Sequence, residues 1–534
     1  MSKAFHSSYI PYLETGKFTK IIVNYISGAN DLKDFYEHEV SIEGIKSAIA
    51  QRKNFNTNRE LLVEQLQVQY KKLSSDDKVN TNIDTLLDKN TFTVCTAHQP
   101  NIFTGHLYFI YKILHTIKLA ADLKSKLPQY NFVPVFFMGS EDADLEELNH
   151  VVVDGKKYVW QTKQKGAVGR MKVDNSLLKL IDDIAGRITV EKFGNDIIEL
   201  LKKCFQKNLS IEFATFLLVH ELFKSYGLVV FLPDNAALKK AMISVFEEDI
   251  FKNTASQIVG KTSDNLSTKY KVQANPREIN LFYLKDNIRN RIVQVQDQFV
   301  VHDTDITFSK KEMQDELKDH PERFSPNVIL RGLFQEMMLP NIAFIGGGGE
   351  LAYWLQLKGL FTYYHVPFPI LIVRNSFLIV EKKYQELIEK LNLKATDLFA
   401  NEEVLVNEVV RKKTPRRLLL DEEKFQVQQA YFSIKQLVKE IDVTLEQHVE
   451  ALEARTTKRL ETLEKKILRA EKRKFADIRN QLSKIYSSLF PGSGLQERTE
   501  NFILFYSKWG NDLFKILYDN SLTLEQKFCV IEEK

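Results

Sequence analysis

Residues 91–119 read TFTVCTAHQPNIFTGHLYFIYKILHTIKL, and this stretch decides the fold. Residues 91–97 alternate β-branched and small side chains, the composition of a buried strand. Residues 98–105 form a polar loop punctuated by Pro100 and Gly105. Leu107, Ile110, Tyr111, Leu114, Ile117 and Leu119 then recur at helical spacing. Strand, loop and helix in that order open a parallel α/β sheet. Ligands of such sheets bind where the strand's carboxyl end meets the helix's amino end, because free backbone N–H groups point there. His98, Gln99, Asn101, Thr104, Gly105 and His106 crowd that corner and are candidate site residues. Taken singly they have a plainer reading, in which Thr104 caps the helix and the others pair loop backbone.

Working outward, FVPVFFMGS (132–140) is a continuous apolar run suited to a central parallel strand. It runs straight into Glu141, Asp142, Asp144 and Glu146, four carboxylates at a strand end. Enrichment of acids in a helix's first turn is the alternative explanation. HVVVDGKKYVWQT (150–162) is a hairpin turning at Asp154-Gly155, and it opens an insertion that continues to residue 226. The sheet resumes with GLVVFLPD (227–234) and its helix, to 255. A second insertion, 256–324, reads as a small antiparallel piece plus a helix and carries Tyr283, Arg289 and Arg291.

Residues 325–380 complete the core. Asn327 precedes a helix with Arg331 near its first turn, and a short strand then delivers Gly346, Gly347, Gly348, Gly349 and Glu350. Consecutive glycines let backbone approach a ligand without a Cβ in the way, although a tight turn explains them almost as well. Neither nucleotide fingerprint, GxGxxG with a spaced acid or GxxxxGK[ST], is met, and Glu350 would repel a phosphate. PFPILIVRNS (367–376) places Arg374 and Asn375 at the end of a last core strand.

Residues 1–90 read as a helical preamble packed on the core, with a polar break at 74–82. From 381 to 490 charged helix takes over, broken at Thr414-Pro415, with Ile434, Leu437, Ile441, Leu445, Leu452 and Leu463 in a coiled-coil rhythm. A cap at Asp442 predicts two antiparallel helices, the second running about 65 Å to Pro491. Its seam calls for a hairpin partner, a second subunit, or both. Residues 491–534 read as a turn and an amphipathic helix returning to the core.

A chain of 534 residues calls for several domains. A net charge of +4 excludes a generally polybasic surface, so no nucleic-acid role is expected. No run approaches a membrane span, and the start lacks a signal-peptide core. Cys95, Cys204 and Cys529 form no CxxC, which argues against a zinc site or disulfide framework and fits a reducing cytoplasm.

The motifs TAHQPNIFTGHLYFIYKILHTIKLA, PVFFMGSEDADLEELNHV, SPNVILRGLFQEMMLPNIAFIGGGGELAYWLQLK, PFPILIVRNS, LRAEKRK and LFPGSGLQER follow one another along nearly the whole chain. In this the chain resembles the bacillithiol-synthesis cysteine-adding enzyme (BshC) family. The resemblance implies an α/β fold: a Rossmann-like parallel-sheet core with two inserted connective segments, plus an α-helical antiparallel coiled-coil domain that makes a homodimer. It implies a cysteine ligase that adds L-cysteine to the glucosamine amine of glucosaminyl malate, the last step to bacillithiol or a related thiol. The core also looks like that of class I synthetases and nucleotidyltransferases, whose first loop carries His-x-Gly-His. Here only Gly105-His106 matches, and no Lys-Met-Ser-Lys-Ser loop follows, which puts direct activation by ATP in question.

Amide formation from a free carboxylate needs that carboxyl activated, either by ATP with magnesium or by a partner that supplies the activated group, and no tightly bound cofactor or resident metal is expected. Arg331, Arg374 and the helix start at 104–106 are expected to hold the malate carboxylates. Glu141, Asp142 and Asp144 are the acids for cysteine's ammonium, Asp142 counting also as catalytic. His98, His106 and His150 are the candidate bases. Gly346 to Gly349 would let the sugar lie close to backbone, and Gln99, Asn101, Asn327, Glu350 and Asn375 complete the expected substrate contacts. The competing readings are a nucleotidyltransferase acting on another small molecule and an inactive coiled-coil scaffold. Polar clusters at three separate strand ends argue against the scaffold.

Overall fold

The computed structural model describes residues 5–71, 73, 77–414 and 418–534. The chain divides into two compact units: Ser7–Leu378 with Gly494–Ile531, and Ile379–Ser493 with a few residues from each end of the chain.

The larger unit is built on a five-stranded parallel sheet of β1 (Thr91–His98), β2 (Asn131–Met138), β3 (Val229–Phe231), β4 (Asn341–Gly346) and β5 (Ile370–Val373). Its order is β5-β4-β1-β2-β3. The chain therefore winds outward from β1 to β3, then starts again on the other side of β1. That reversal leaves a switch point between β1 and β4, where the following loops diverge and open a crevice. β1 and β2 pair along their whole length, from Thr91↔Asn131 to His98↔Met138. Helix α1 (Tyr108–Lys126) crosses back between them. Its Leu119 and Leu123 share one apolar cluster with Phe92 and Val94 of β1, Ile345 of β4, Ile372 of β5, and Ile45 and Ile49 of the helix Ile42–Lys53.

After β2 a four-residue helix, α2 (Leu145–Leu148), precedes the hairpin of His150–Val153 and Lys156–Val159. Asp154 and Gly155 have φ of 52° and 72°, the left-handed turn that the Asp-Gly pair predicts. The second insertion forms a five-stranded antiparallel sheet whose last strand, Phe324–Pro326, pairs with Leu281–Lys285. That strand feeds directly into α3 (Val328–Met338), and β4 into α4 (Gly348–Trp354). Both helices thus start beside the switch point.

The smaller unit contains α5 (Glu402–Lys413), α6 (Asp421–Ile441), α7 (Glu446–Lys472) and α8 (Ala476–Leu489). α6 and α7 form the antiparallel hairpin, turned at Asp442, whose carboxylate accepts from Thr444 N–H at 2.9 Å. Lys424–Glu464 at 2.6 Å and Lys435–Glu453 at 2.7 Å stitch the pair.

Several expectations are corrected. The 65 Å second helix does not form: a tight turn at Arg473–Phe475 splits it, so that α8 buries Ile478, Leu482, Ile485 and Leu489 and packs against α5. The amino-terminal segment is mainly helical, and it opens with a strand, Phe5–Pro11. Within the expected polar break Asp77–Thr85 is helix, because Val79 and Ile83 are one turn apart and both buried. Residues 74–76 of that break, and Pro415 of the later one, lie outside the described residues. The tail is two short helices, Ile503–Trp509 and Asp512–Asp519, interrupted where Gly510 takes φ 59°, and it ends in the strand Lys527–Glu533. Among the described residues no helix is long and apolar enough to cross a membrane.

Candidate functional site

A cleft of about 550 Å³ lies in the larger unit at the carboxyl ends of all five parallel strands, reached by His98, Gly139, Pro233, Gly347 and Arg374. Its wall at β1 is an imidazole in an aromatic setting. The His98 ring meets the edges of Tyr108 and Phe109 at centroid distances of 5.3 and 5.5 Å. Its Nε2 is buried without a hydrogen-bond partner among the described residues. Burial, followed by the charges of Lys112 and its neighbours, holds the His98 pKa well below the usual value, so the ring is neutral. Gln99 donates through Nε2 to Asp142 Oδ2 at 3.1 Å.

The rest of that loop does not line the cleft. Phe103 and Thr104 take φ of 50° and 70°, and Thr104 Oγ1 is buried without a hydrogen-bond partner among the described residues. The N–H groups of Thr104, Gly105 and Leu107 donate to the carbonyls of Asn101, Ile102 and Glu500 at 3.1, 3.0 and 2.8 Å. α1 begins only at Tyr108. The carboxylate-binding helix start expected at 104–106 is therefore absent: its donors are consumed by the turn and by the strap of residues 499–501. Asn501 Nδ2 donates to the carbonyls of Phe103, at 2.8 Å, and Gly105. Asn101 is buried with Nδ2 3.5 Å from the Glu147 carbonyl. His106 Nδ1 lies 3.1 Å from the Thr499 carbonyl, and its ring is 6.1 Å from that of His150. His150 in turn sits 3.1 Å from the Glu146 carbonyl at the start of the hairpin. Both histidines are outside the cleft lining, and burial lowers both pKa values.

The acids divide in the same way. Glu141 lines the cleft but is ion-paired with buried Lys239, whose ammonium is also 3.7 Å from Asp234. Arg170 clamps Asp234 at 2.6 and 2.7 Å. Asp142 accepts from Gln99 and from Asp144 N–H, and lies 4.0 Å from Arg289 Nη1 of the second insertion. Asp144 is a helix cap, accepting from Glu147 N–H at 3.2 Å, and does not line the cleft.

At β4, Gly346 belongs to the strand, where an added Cβ would come within 2.5 Å of Leu351 Cδ1. Gly347, Gly348 and Gly349 line the cleft. The Gly347 N–H is spent on Glu350 Oε2 at 2.8 Å. Lys112 Nζ reaches the same oxygen at 2.6 Å and also donates to the Ala97 carbonyl. Glu350 is thus not the isolated repelling charge expected from the sequence, because a buried ammonium neutralises it. Burial lowers the Lys112 pKa and Glu350 opposes that shift.

Four arginines line the cleft: Arg289, which lies near Asp142, and Arg331, Arg374 and Arg498. Arg331 bonds Tyr353 Oη through Nη2, while its Nη1 is buried without a partner among the described residues. Arg374 is largely committed, pairing Glu497 at 2.7 Å and donating to the Asn375 carbonyl and Ser376 Oγ at 3.0 and 3.1 Å. Arg498 stands 5.9 Å over the Phe18 ring, its pKa lowered by burial and then by Arg374. Asn327 lines the cleft while capping α3 through Ile329 N–H at 2.8 Å. Asn375 points elsewhere, its Nδ2 bonded to the Leu522 carbonyl at 2.9 Å. Sequence reasoning missed Lys17, Tyr108, Glu147, Tyr353 and Arg498 as lining residues. An available signal was polar side chains inside otherwise apolar helical faces, as with Lys112 in α1.

Residues 6–375 match a family model described as the bacillithiol biosynthesis BshC N-terminal Rossmann-like domain, and residues 377–533 one described as the BshC C-terminal coiled-coil domain. A Flavobacterium johnsoniae protein named "Putative cysteine ligase BshC" is 40% identical over 524 residues, 98% of this chain and 99% of its own. Proteins of the same name from Christiangramia forsetii and Salinibacter ruber are 38% and 31% identical, covering 98% and 93% of both chains in each pair.

Proposed function

Because the chain belongs to the bacillithiol biosynthesis BshC family, we propose that it is a cysteine ligase, joining the carboxyl of L-cysteine to the glucosamine amine of glucosaminyl malate. The product would be bacillithiol or a related low-molecular-weight thiol. One observation carries this reading: two buried groups of complementary use, Arg331 Nη1 and His98 Nε2, lack partners among the described residues and belong to the same cleft. Arg331, backed by the Tyr353 hydroxyl, and Arg498 suit the two malate carboxylates, since a guanidinium binds carboxylate through parallel N–H donors. Neutral His98 suits a base that takes the proton of the acceptor amine as the amide forms. The glycines of the β4 turn leave the sugar room to approach backbone.

Condensing a free carboxylate with an amine in water requires the carboxyl to be activated, and ATP with magnesium is the proposed source. The cleft's arginines fit phosphate as well as carboxylate, so a nucleotide would meet Arg331 and Arg498 too. Homodimerisation is part of the same reading, supported by α6, which buries none of its residues and exposes Phe432, Leu437 and Ile441. Light scattering on the purified protein tests it.

The reaction is tested by mass spectrometry of the protein incubated with L-cysteine and glucosaminyl malate, with and without ATP and magnesium. A product of the summed mass less water, formed only with ATP, is expected. Pyrophosphate release without amide would point to a nucleotidyltransferase. Absence of product under both conditions would overturn a self-sufficient ligase.

A further inference from the structure

Four carboxylates line the cleft, Glu141, Asp142, Glu147 and Glu350. Three are already committed. Glu141 holds Lys239, Glu350 holds Lys112, and Asp142 is engaged by Gln99 with Arg289 beyond it. Glu147 differs: among the described residues its side chain has neither a hydrogen bond nor an ion pair, and only its backbone groups are engaged. Its position is nevertheless defined. Asp144 caps the turn that carries it, and the adjacent Leu148 is fully buried.

Glu147 is itself exposed, and what distinguishes it is that it shares a cleft with two buried polar atoms that lack partners among the described residues, His98 Nε2 and Arg331 Nη1. Partial burial, then repulsion from Asp142 and Asp144, raises the Glu147 pKa. A bound cation would offset both effects. Among the described residues the cleft thus offers one uncommitted carboxylate, a guanidinium with one free nitrogen and a neutral base.

We propose that Glu147 binds the α-ammonium of cysteine. The identity of the substrate rests on the ligase reading above. Of the two amines in that reaction, the acceptor's must lose its proton, whereas cysteine's must keep it, or cysteine would compete as nucleophile. A carboxylate favours the charged form and a neutral imidazole accepts a proton, so the two amines sort between Glu147 and His98. In the sequence Glu147 reads as one more acid of a helix's first turn.

Calorimetric titration of L-cysteine and of 3-mercaptopropionate, which keeps the thiol and carboxylate but lacks the ammonium, tests this on the full chain. Glu147→Gln is expected to weaken L-cysteine about tenfold, the loss of one charge-assisted contact at a solvent-accessible site, and to leave 3-mercaptopropionate unchanged. Glu147→Asp should recover part of the loss. Glu146→Gln, which alters a neighbouring acid outside the cleft lining, should bind like the wild type. In steady-state assays KM for cysteine should rise and KM for glucosaminyl malate should hold. Equal weakening of both ligands, no weakening of cysteine, or an equal effect of Glu146→Gln would overturn the assignment. So would a wild-type protein that binds no cysteine. A wild type that binds cysteine but forms no amide would refute the ligase reading, and the titrations would still decide the role of Glu147.

Discussion

Arg374 reads from the sequence as a substrate ligand, and its surroundings give it a different principal task. Glu497 is fully buried, and Arg374 Nη2 at 2.7 Å is its cationic partner, with Ser376 Oγ and Phe377 N–H each at 3.2 Å. Arg374→Met keeps most of the aliphatic arm and removes the guanidinium, leaving a buried carboxylate with two neutral donors. Breaking a buried pair from one side costs about 3–5 kcal/mol. Converting the stranded acid as well, in Arg374→Met/Glu497→Gln, removes the uncompensated charge and should recover more than half of that, a coupling of about 2 kcal/mol. Urea unfolding followed by tryptophan fluorescence suits the measurement, because Trp160, Trp354 and Trp509 all lie in the larger unit. A deficit under about 1 kcal/mol, or an equal deficit in the double variant, would refute the buried-pair account. A stable Arg374→Met protein with a raised KM for glucosaminyl malate would instead restore the sequence reading.

Three further outcomes are expected. His98→Gln should lower kcat about 10²–10⁴-fold with little change in KM. Because His98 is held neutral, the wild-type pH–rate profile should lack an inflection near the ordinary histidine value of about 6.5; finding one, or a fully active variant, would remove His98 as the base. Burial, then Asp234, lifts the Glu212 pKa to about 8. Between the ordinary carboxylate value and about 8 the folded chain carries a proton that the unfolded chain lacks, so this contribution is full at acid pH and lost as pH rises through that window. Urea midpoints compared on the two sides of the window should fall more for wild type than for Glu212→Gln, and parallel falls would count against the raised pKa. Gly105→Ala places a Cβ 2.8 Å from that of Asn101 at φ +66° and should cost about 1–3 kcal/mol by urea unfolding. An unchanged midpoint would mean the strap of residues 499–501 does not hold that loop in its left-handed shape.

Much of the architecture was legible because it is written in near neighbours. The apolar runs of β1, β2 and β5 could only be buried strands, the Asp154-Gly155 pair specified its hairpin turn, and Asp442 specified the turn between α6 and α7. Composition and spacing act over a few residues, so they survive reading in one dimension. The second long helix failed for the complementary reason: a heptad rhythm continues through Arg473–Phe475 whether or not the backbone does, and the packing of α8 against α5 decides the break.

The site was legible only as an address. Its location at the carboxyl ends of the strands follows from strand–loop–helix order, and His98, Asp142, Arg331 and Gly347–Gly349 lie there. Which of those groups remain available depends on partners far away along the chain. Lys112 neutralises Glu350, Lys239 holds Glu141, Glu497 occupies Arg374, Glu500 takes the Leu107 N–H, and Asn501 takes the Phe103 and Gly105 carbonyls. The sequence alone determined the elements and the crevice they open, because backbone propensity and apolar periodicity are local. Only the tertiary structure decided the chemistry left in that crevice, because charge pairing in a buried site is settled by whichever distant side chains the fold brings within hydrogen-bond reach.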